Sequence, residues 1–189
     1  MIDELDNFTD LQHLNLVGNN IESITGLENL VNLKDLNLKS NQIVEINGLE
    51  NLRSLKILNL SHNEIREING LSKLRSLIEL DLSYNQIDEI KGLDRLLNLE
   101  SLSLCNNQIS EMKGIDNLEN LSELMLKNNN ISEVKNISTL YSLRRLSLFN
   151  NKFKDSYFDD CFEYEELNEL VDFLDLKSRK EGLRKLIRH

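Results

Sequence analysis

Residues 77–98 read LIELDLSYNQIDEIKGLDRLLN. Leu77, Leu80, Leu82, Asn85 and Ile87 set the spacing Leu-x-x-Leu-x-Leu-x-x-Asn-x-Ile, and Ile90, Gly92, Leu93 and Leu96 complete the unit. The first leucine recurs at Leu11, Leu33, Leu55, Leu77, Leu99, Leu121 and Leu143, each 22 residues after the last. A period this regular marks a solenoid, because one such unit cannot bury its apolar side alone and must stack on its neighbours.

The second and third leucines of a unit are two residues apart, so both point to the same side of a short strand, toward the core. Stacking then lays seven strands in parallel, about 4.8 Å apart, on an inner curve, while the second half of each unit returns across a convex back. The expected fold is an α/β solenoid: a right-handed horseshoe with a concave parallel β-sheet and a helical C-terminal cap. Residues 1–153 form the solenoid, a half unit followed by seven units, and residues 154–189 form the cap.

The start of the chain aligns with the repeat, since Ile2, Leu5 and Phe8 fall where Ile24, Leu27 and Leu30 fall one period later. The first strand, near His13 to Asn15, therefore presents an open edge through which the chain could self-associate. Beyond Asn151 the pattern stops. Asp160 with Glu163 forms a capping box, after which Tyr164, Leu167, Leu170, Val171 and Leu174 recur at helical spacing. Ser178 with Glu181 predicts a second, short helix carrying Leu183, Leu186 and Ile187.

Two further columns are structural. Asn19, Asn41, Asn63, Asn85, Asn107, Asn129 and Asn151 sit where the chain leaves each strand, and their amides can satisfy backbone groups that lose their ladder partners there. Gly26, Gly48, Gly70, Gly92 and Gly114 share one position, with Asn136 in the sixth copy, a substitution that predicts a left-handed turn. Only Gly18 and Gly182 lie elsewhere, so no glycine-rich phosphate loop can be assembled.

Composition narrows the function. The net charge of −10 repels phosphate backbones and anionic membranes, so neither nucleic acid nor membrane is expected as a partner. No basic start or long apolar run is present, and Cys105 and Cys161 fall in different structural units, which together predict a cytoplasmic or nuclear protein with free, structural thiols. His13, His62 and His189 are too scattered for a zinc site or a catalytic triad. No enzyme activity and no cofactor or metal is expected.

A binding surface remains. Three outward rows of seven side chains line the concave sheet, as many residues as a typical protein interface uses on one side, about 20–30. The third-position row runs His13, Asp35, Ile57, Glu79, Ser101, Glu123, Arg145, and the fifth runs Asn15, Asn37, Asn59, Asp81, Ser103, Met125, Ser147. Ile57, Tyr84, Met125 and Phe149 supply apolar or aromatic anchors, and Asp35, Glu79, Asp81 and Glu123 a negative surround, a combination suited to a basic protein surface. The candidate contact residues are His13, Asp35, Ile57, Glu79, Asp81, Tyr84, Ser101, Glu123, Met125, Arg145 and Phe149. The asparagines of the fifth row are expected to hydrogen-bond to one another along the sheet. On another face Glu45, Glu67, Glu89, Glu111 and Glu133 form a ladder that Lys91, Lys113 and Lys135 can relieve.

The repeat resembles the leucine-rich repeat family across about residues 2–153. The form Asn-Gln-Ile-x-Glu-Ile-x-Gly-Leu-x-x-Leu, at Asn41 to Leu52 and Asn85 to Leu96, looks like the subfamily of the type-1 protein phosphatase regulatory subunit. That resemblance implies an intracellular scaffold whose concave face grips a protein, here an adaptor of phosphatase-regulatory type. None of the variable positions matches a subfamily motif, so no binding residue is carried over, and Asn151-Lys152 stands where that subfamily's cap opens with Asn-Pro. Two other readings share the regularity: a bacterial surface adhesin of the internalin type, and a structural or designed repeat with no dedicated partner.

Overall fold

The computed structural model describes residue 5 and residues 7–137, 139–153 and 161–163, the last three as backbone. Seven three-residue strands follow the 22-residue period: β1 (His13–Asn15), β2 (Asp35–Asn37), β3 (Ile57–Asn59), β4 (Glu79–Asp81), β5 (Ser101–Ser103), β6 (Glu123–Met125) and β7 (Arg145–Ser147). They lie side by side in chain order and pair in parallel, with each residue opposite its equivalent one period on: Leu36 against Leu58, Leu58 against Leu80, Leu80 against Leu102. Stacked coils bring identical positions together, so the repeat itself sets the register.

Each of the first six coils sends seven apolar side chains inward. In the fourth, Leu77, Leu80, Leu82, Ile87, Ile90, Leu93 and Leu96 are all buried, each stabilising the fold by about 1.5–3 kcal/mol relative to exposure. The return half of each coil is held by tight turns such as Leu52 N–H donating to the Leu49 carbonyl at 3.0 Å. Among the described residues there is no helix, so the expected α/β class is corrected there to a parallel β-solenoid. A 22-residue coil spends its length on one strand and a series of turns, and an amphipathic helix on the back would need more residues.

The far end departs from expectation. Cys161–Glu163 forms β8, which pairs antiparallel with β7, Leu146 opposite Phe162 and Arg145 opposite Glu163. Glu163 therefore lies in a strand and not in the first turn of a helix capped by Asp160. The outer edge of β7 offers a row of unpaired donors and acceptors, and three extended residues satisfy it directly. The remainder of the predicted cap, including the helices expected from Tyr164 and after Ser178, lies outside the described residues. At the other end β1 has β2 on one side only among the described residues, and Leu11, Leu14 and Leu16 are less covered than their equivalents in later coils.

The two small-residue columns connect coil to coil. Asn85 Nδ2 donates to the Leu82 carbonyl of its own coil and the Leu60 carbonyl of the preceding one, both at 3.0 Å, while its Oδ1 accepts the Ile65 N–H at 2.9 Å. Asn41, Asn63, Asn107, Asn129 and Asn151 make the same three bonds. Gly48 has φ +69°, and a Cβ there would sit 2.2 Å from the Ile24 carbonyl oxygen. Asn136 keeps the left-handed turn (φ 60°), and its Nδ2 donates to the carbonyl of Met112, which lies one coil back, at 2.6 Å. A close approach becomes a hydrogen bond.

Candidate functional site: the open face of the sheet

The outward rows are as the period predicts. His13, Asp35, Ile57, Glu79, Ser101, Glu123 and Arg145 begin the seven strands, and Asp81 and Met125 end β4 and β6. Register places Glu79 between Ile57 and Ser101, and Glu123 between Ser101 and Arg145. His13 lies three strands from β4 on one side, 3.7 Å from Asp35, and Arg145 lies three strands away on the other. The candidates thus form a band along the sheet, with Ile57 on β3, Glu79 and Asp81 on β4, and Tyr84 three residues beyond the end of β4.

The fifth row behaves differently from expectation. Its side chains do not bond to one another along the sheet: Asn37 Oδ1 accepts the Lys39 N–H at 3.1 Å, Asn59 Oδ1 the Ser61 N–H at 2.9 Å, and Asp81 Oδ1 the Ser83 N–H at 2.9 Å. Each thereby caps the donor left free where its own strand ends. One Asp81 oxygen is used structurally, and the carboxylate is held still beside Ser83.

Beyond the strands comes a column that sequence reasoning passes over. Gly18, Ser40, His62, Tyr84, Asn106, Asn128 and Asn150, again 22 residues apart, all have positive φ, from 56° to 70°. Glycine and asparagine suit this conformation, whereas a bulky side chain there costs about 1–2 kcal/mol. Asn150 Nδ2 donates to Asn128 Oδ1 at 2.8 Å and Asn128 Nδ2 to Asn106 Oδ1 at 2.6 Å, forming an amide ladder. At His62 and Tyr84 the ladder is replaced by two stacked rings, centroids 4.1 Å apart and 11° from parallel. Tyr84 is 50% exposed, and its hydroxyl has no partner among the described residues. The spacing of the column is visible in the sequence; its left-handed backbone, which makes the two rings conspicuous, is not.

Near the rings the seventh position of the coil carries small, covered residues. Ser61 and Ser83 occupy the seventh position with only 2% and 7% exposure, where other coils carry Lys39, Lys127 or Phe149. Ser61 Oγ donates to Asn59 Oδ1 at 2.7 Å, and the Ser83 and Ser103 hydroxyls share a bond at 2.6 Å. Lys127 Nζ lies 5.2 Å from the centroid of the Phe149 ring. Burial pushes the Cys105 thiol up, outweighing the bonds from Ser103 and the Lys127 backbone that favour its thiolate. This thiol stays protonated and unreactive at neutral pH.

Four of the five ladder glutamates on the back are ion-paired, and Glu45 has no ion pair among the described residues. On the back, Lys91 bridges Glu67 at 3.3 Å and Glu89 at 3.7 Å, Lys113 pairs with Glu111, and Lys135 pairs with Glu133. The hydrogen bond and charge of Glu67 hold Lys91 above its ordinary range. Glu79 and Asp81, by contrast, have no ion pair among the described residues. No cluster of metal-ligating side chains occurs among the described residues.

The family model of leucine-rich repeats matches residues 9–51, 53–95 and 75–117. The chain belongs to the leucine-rich repeat family. No curated protein sequence matches it. Among solved structures it is similar to an internalin of Listeria monocytogenes (TM-score 0.77, 29% identity, 84% of this chain and 48% of that one). It is also similar to a leucine-rich repeat protein of Leptospira interrogans (TM-score 0.77, 35% identity, 90% and 43%). A third likeness is to TLR13 in a complex with ssRNA13 (TM-score 0.67, 36% identity, 76% and 22%). The chain spans about half the length of the internalin. The last likeness corrects one expectation: the repeat fold occurs in a complex with RNA, so only the net charge of −10, and not the architecture, speaks against nucleic acid here. Among the described residues no helix is long and apolar enough to cross a membrane.

Proposed function

We propose that this chain is a non-enzymatic scaffold that binds a basic partner protein on the open face of its sheet, centred on Ile57, Glu79, Asp81 and Tyr84. One observation carries the reading. Four glutamates of the back, Glu67, Glu89, Glu111 and Glu133, contact lysines, whereas Glu79 and Asp81 stand without an ion pair among the described residues, in the same coil as a half-exposed tyrosine. A surface that leaves its charge unmatched next to an apolar anchor is complementary to something it does not contain.

The test is binding to a basic protein probe such as cytochrome c at low salt. Glu79→Lys with Asp81→Lys should weaken association at least about tenfold, while Glu111→Lys on the back should leave it within about twofold. Equal binding by the two variants would refute the assignment of the face.

The form of the repeat at Asn41 to Leu52 supports an adaptor of the phosphatase-regulatory type working in the cytoplasm or nucleus. The likeness to the internalin favours a second reading, a bacterial surface adhesin using the same face. Fractionation of the native source separates them: recovery with the cell surface favours the adhesin, and recovery in the soluble interior favours the adaptor.

A further inference from the structure

Independently of the open face, we infer that the turns leading into β2 to β5 carry a second docking surface, a diagonal band of cations that receives an acidic segment of a partner protein. Its members are Lys34, Lys56, Arg53, Arg75, Lys73 and Arg95, all exposed. They form three pairs, Lys34 with Lys56, Arg53 with Arg75 and Lys73 with Arg95, and within each pair the residues are 22 positions apart. Positions one period apart stack on adjacent coils: the Lys56 N–H donates to the Lys34 carbonyl at 2.8 Å, and Asn98 Nδ2 reaches back to the Arg75 carbonyl at 2.9 Å. Arg53 and Lys56 flank one turn, closed by the Leu55 N–H on the Leu52 carbonyl at 3.0 Å. Lys73 and Arg75 flank buried Leu74 in the equivalent turn one coil on. The band thus steps across the coils from Lys34 to Arg95, roughly 15 Å at the spacing of parallel strands.

A chain of net charge −10 gathers six of its 22 basic residues there. None of the six has an ion pair among the described residues, and Lys34 alone is engaged through its side chain, donating to Gln12 Oε1 at 2.9 Å. Lys91, Lys113 and Lys135, set on the same period on the back, each contact a glutamate. The turn itself does not require a cation, since Leu97 stands where Arg53 and Arg75 stand and the Leu99 N–H still closes on the Leu96 carbonyl at 3.0 Å. Like charges stacked without counter-charges repel, and an anion from outside relieves them.

The length and surround of the band favour carboxylates on a polypeptide. A stretch of about five extended residues spans it. The same columns hold Gln12 and Val31 before the band and Glu100 and Glu119 after it. A long phosphate polymer would run from the cations onto carboxylates, whereas a short acidic segment ends where the band ends. Its three arginines offer forks of N–H donors that carboxylates match in pairs.

A fluorescent hexaglutamate peptide, titrated against the full chain at low salt, is the probe, with hexathymidylate beside it. The peptide should bind, and Arg53→Glu with Arg75→Glu should weaken it at least about tenfold. Arg66→Glu with Lys113→Glu, the same change of net charge away from the band, should weaken it less than about threefold. Arg53→Gln with Arg75→Gln should leave the Tm unchanged or raise it, because the pair repels. Failure of the peptide to bind overturns the inference, as does equal weakening by the two glutamate variants, which would put net charge in control. Tighter binding of hexathymidylate assigns the band to nucleic acid and overturns the acidic-segment assignment. A Tm lowered by several degrees in the glutamine variant shows that these cations serve the fold and sinks it too.

Discussion

At the scale of single residues, the fold is demanding at a few positions and indifferent at most. Gly48 is demanding on two counts, its positive φ and the Ile24 carbonyl 2.2 Å from where a Cβ would stand. Gly48→Ala should therefore cost on the order of 3 kcal/mol in urea unfolding. Gly48→Asn, although larger, should cost less, because Asn136 shows how an amide turns the same approach into a bond to Met112. The opposite ranking would mean that the clash is not what matters. Asn85→Leu removes partners from the Leu60 and Leu82 carbonyls and the Ile65 N–H at once, and is expected to cost about 3 kcal/mol or more. Cys105 gives a pH-dependent outcome. Its raised pKa means the thiolate appears only above the ordinary thiol range, so disulfide exchange with a chromogenic reagent, in a Cys161→Ser background, should be slower than in the urea-unfolded chain at about pH 8 and approach it as pH rises. Rates that already coincide at that pH would contradict the burial of this thiol.

At the scale of strands and columns, what can be read in advance is whatever repeats. The leucine spacing at Leu80 and Leu82 predicts β4 and its register, and the asparagines predict the inter-coil amide bonds, because period and residue type are both visible in a linear string. Backbone handedness is not visible, which is why His62 and Tyr84 look unrelated in the sequence, one a lone histidine and one a scattered aromatic. Asn37 and Asn59 depart from expectation for a related reason: a side chain near a strand end can bond along the sheet or back to its own turn, and only geometry decides. The Glu163 region departs from it because a capping box is a local signal, whereas the free edge of β7 is a property of the assembled sheet. The paired ladder on the back makes its own prediction. Lys91→Gln removes a cation that contacts both Glu67 and Glu89, and the loss of stability should be small and should shrink further as salt is raised. A loss that is large and insensitive to salt would show that the ladder is more than a solvated edge.

At the scale of the whole molecule, the chain behaves as a row of near-identical units whose contacts are with the next unit along. Leu102→Ala in the fifth strand, surrounded by leucine on both sides, should cost about 2–5 kcal/mol, whereas Leu14→Ala in the less covered first strand should cost noticeably less. Similar losses at both would mean that the first coil is as well packed as the middle. Long-range charge acts on the same scale: with a net charge of −10, association with any basic partner should slow steeply as ionic strength rises. The constant 22-residue register has a genetic consequence. An in-frame deletion of residues 77–98 would join Ser76 directly to Leu99 with each column still aligned, since Ser76 and Asn98 hold the same phase of the repeat. Such a chain should be born shorter by a single turn and still fold, with Asn106 now beside His62, while a deletion of half that length should not fold at all; genes of this design can lengthen or shrink by whole turns and change what they hold without relearning how to stand.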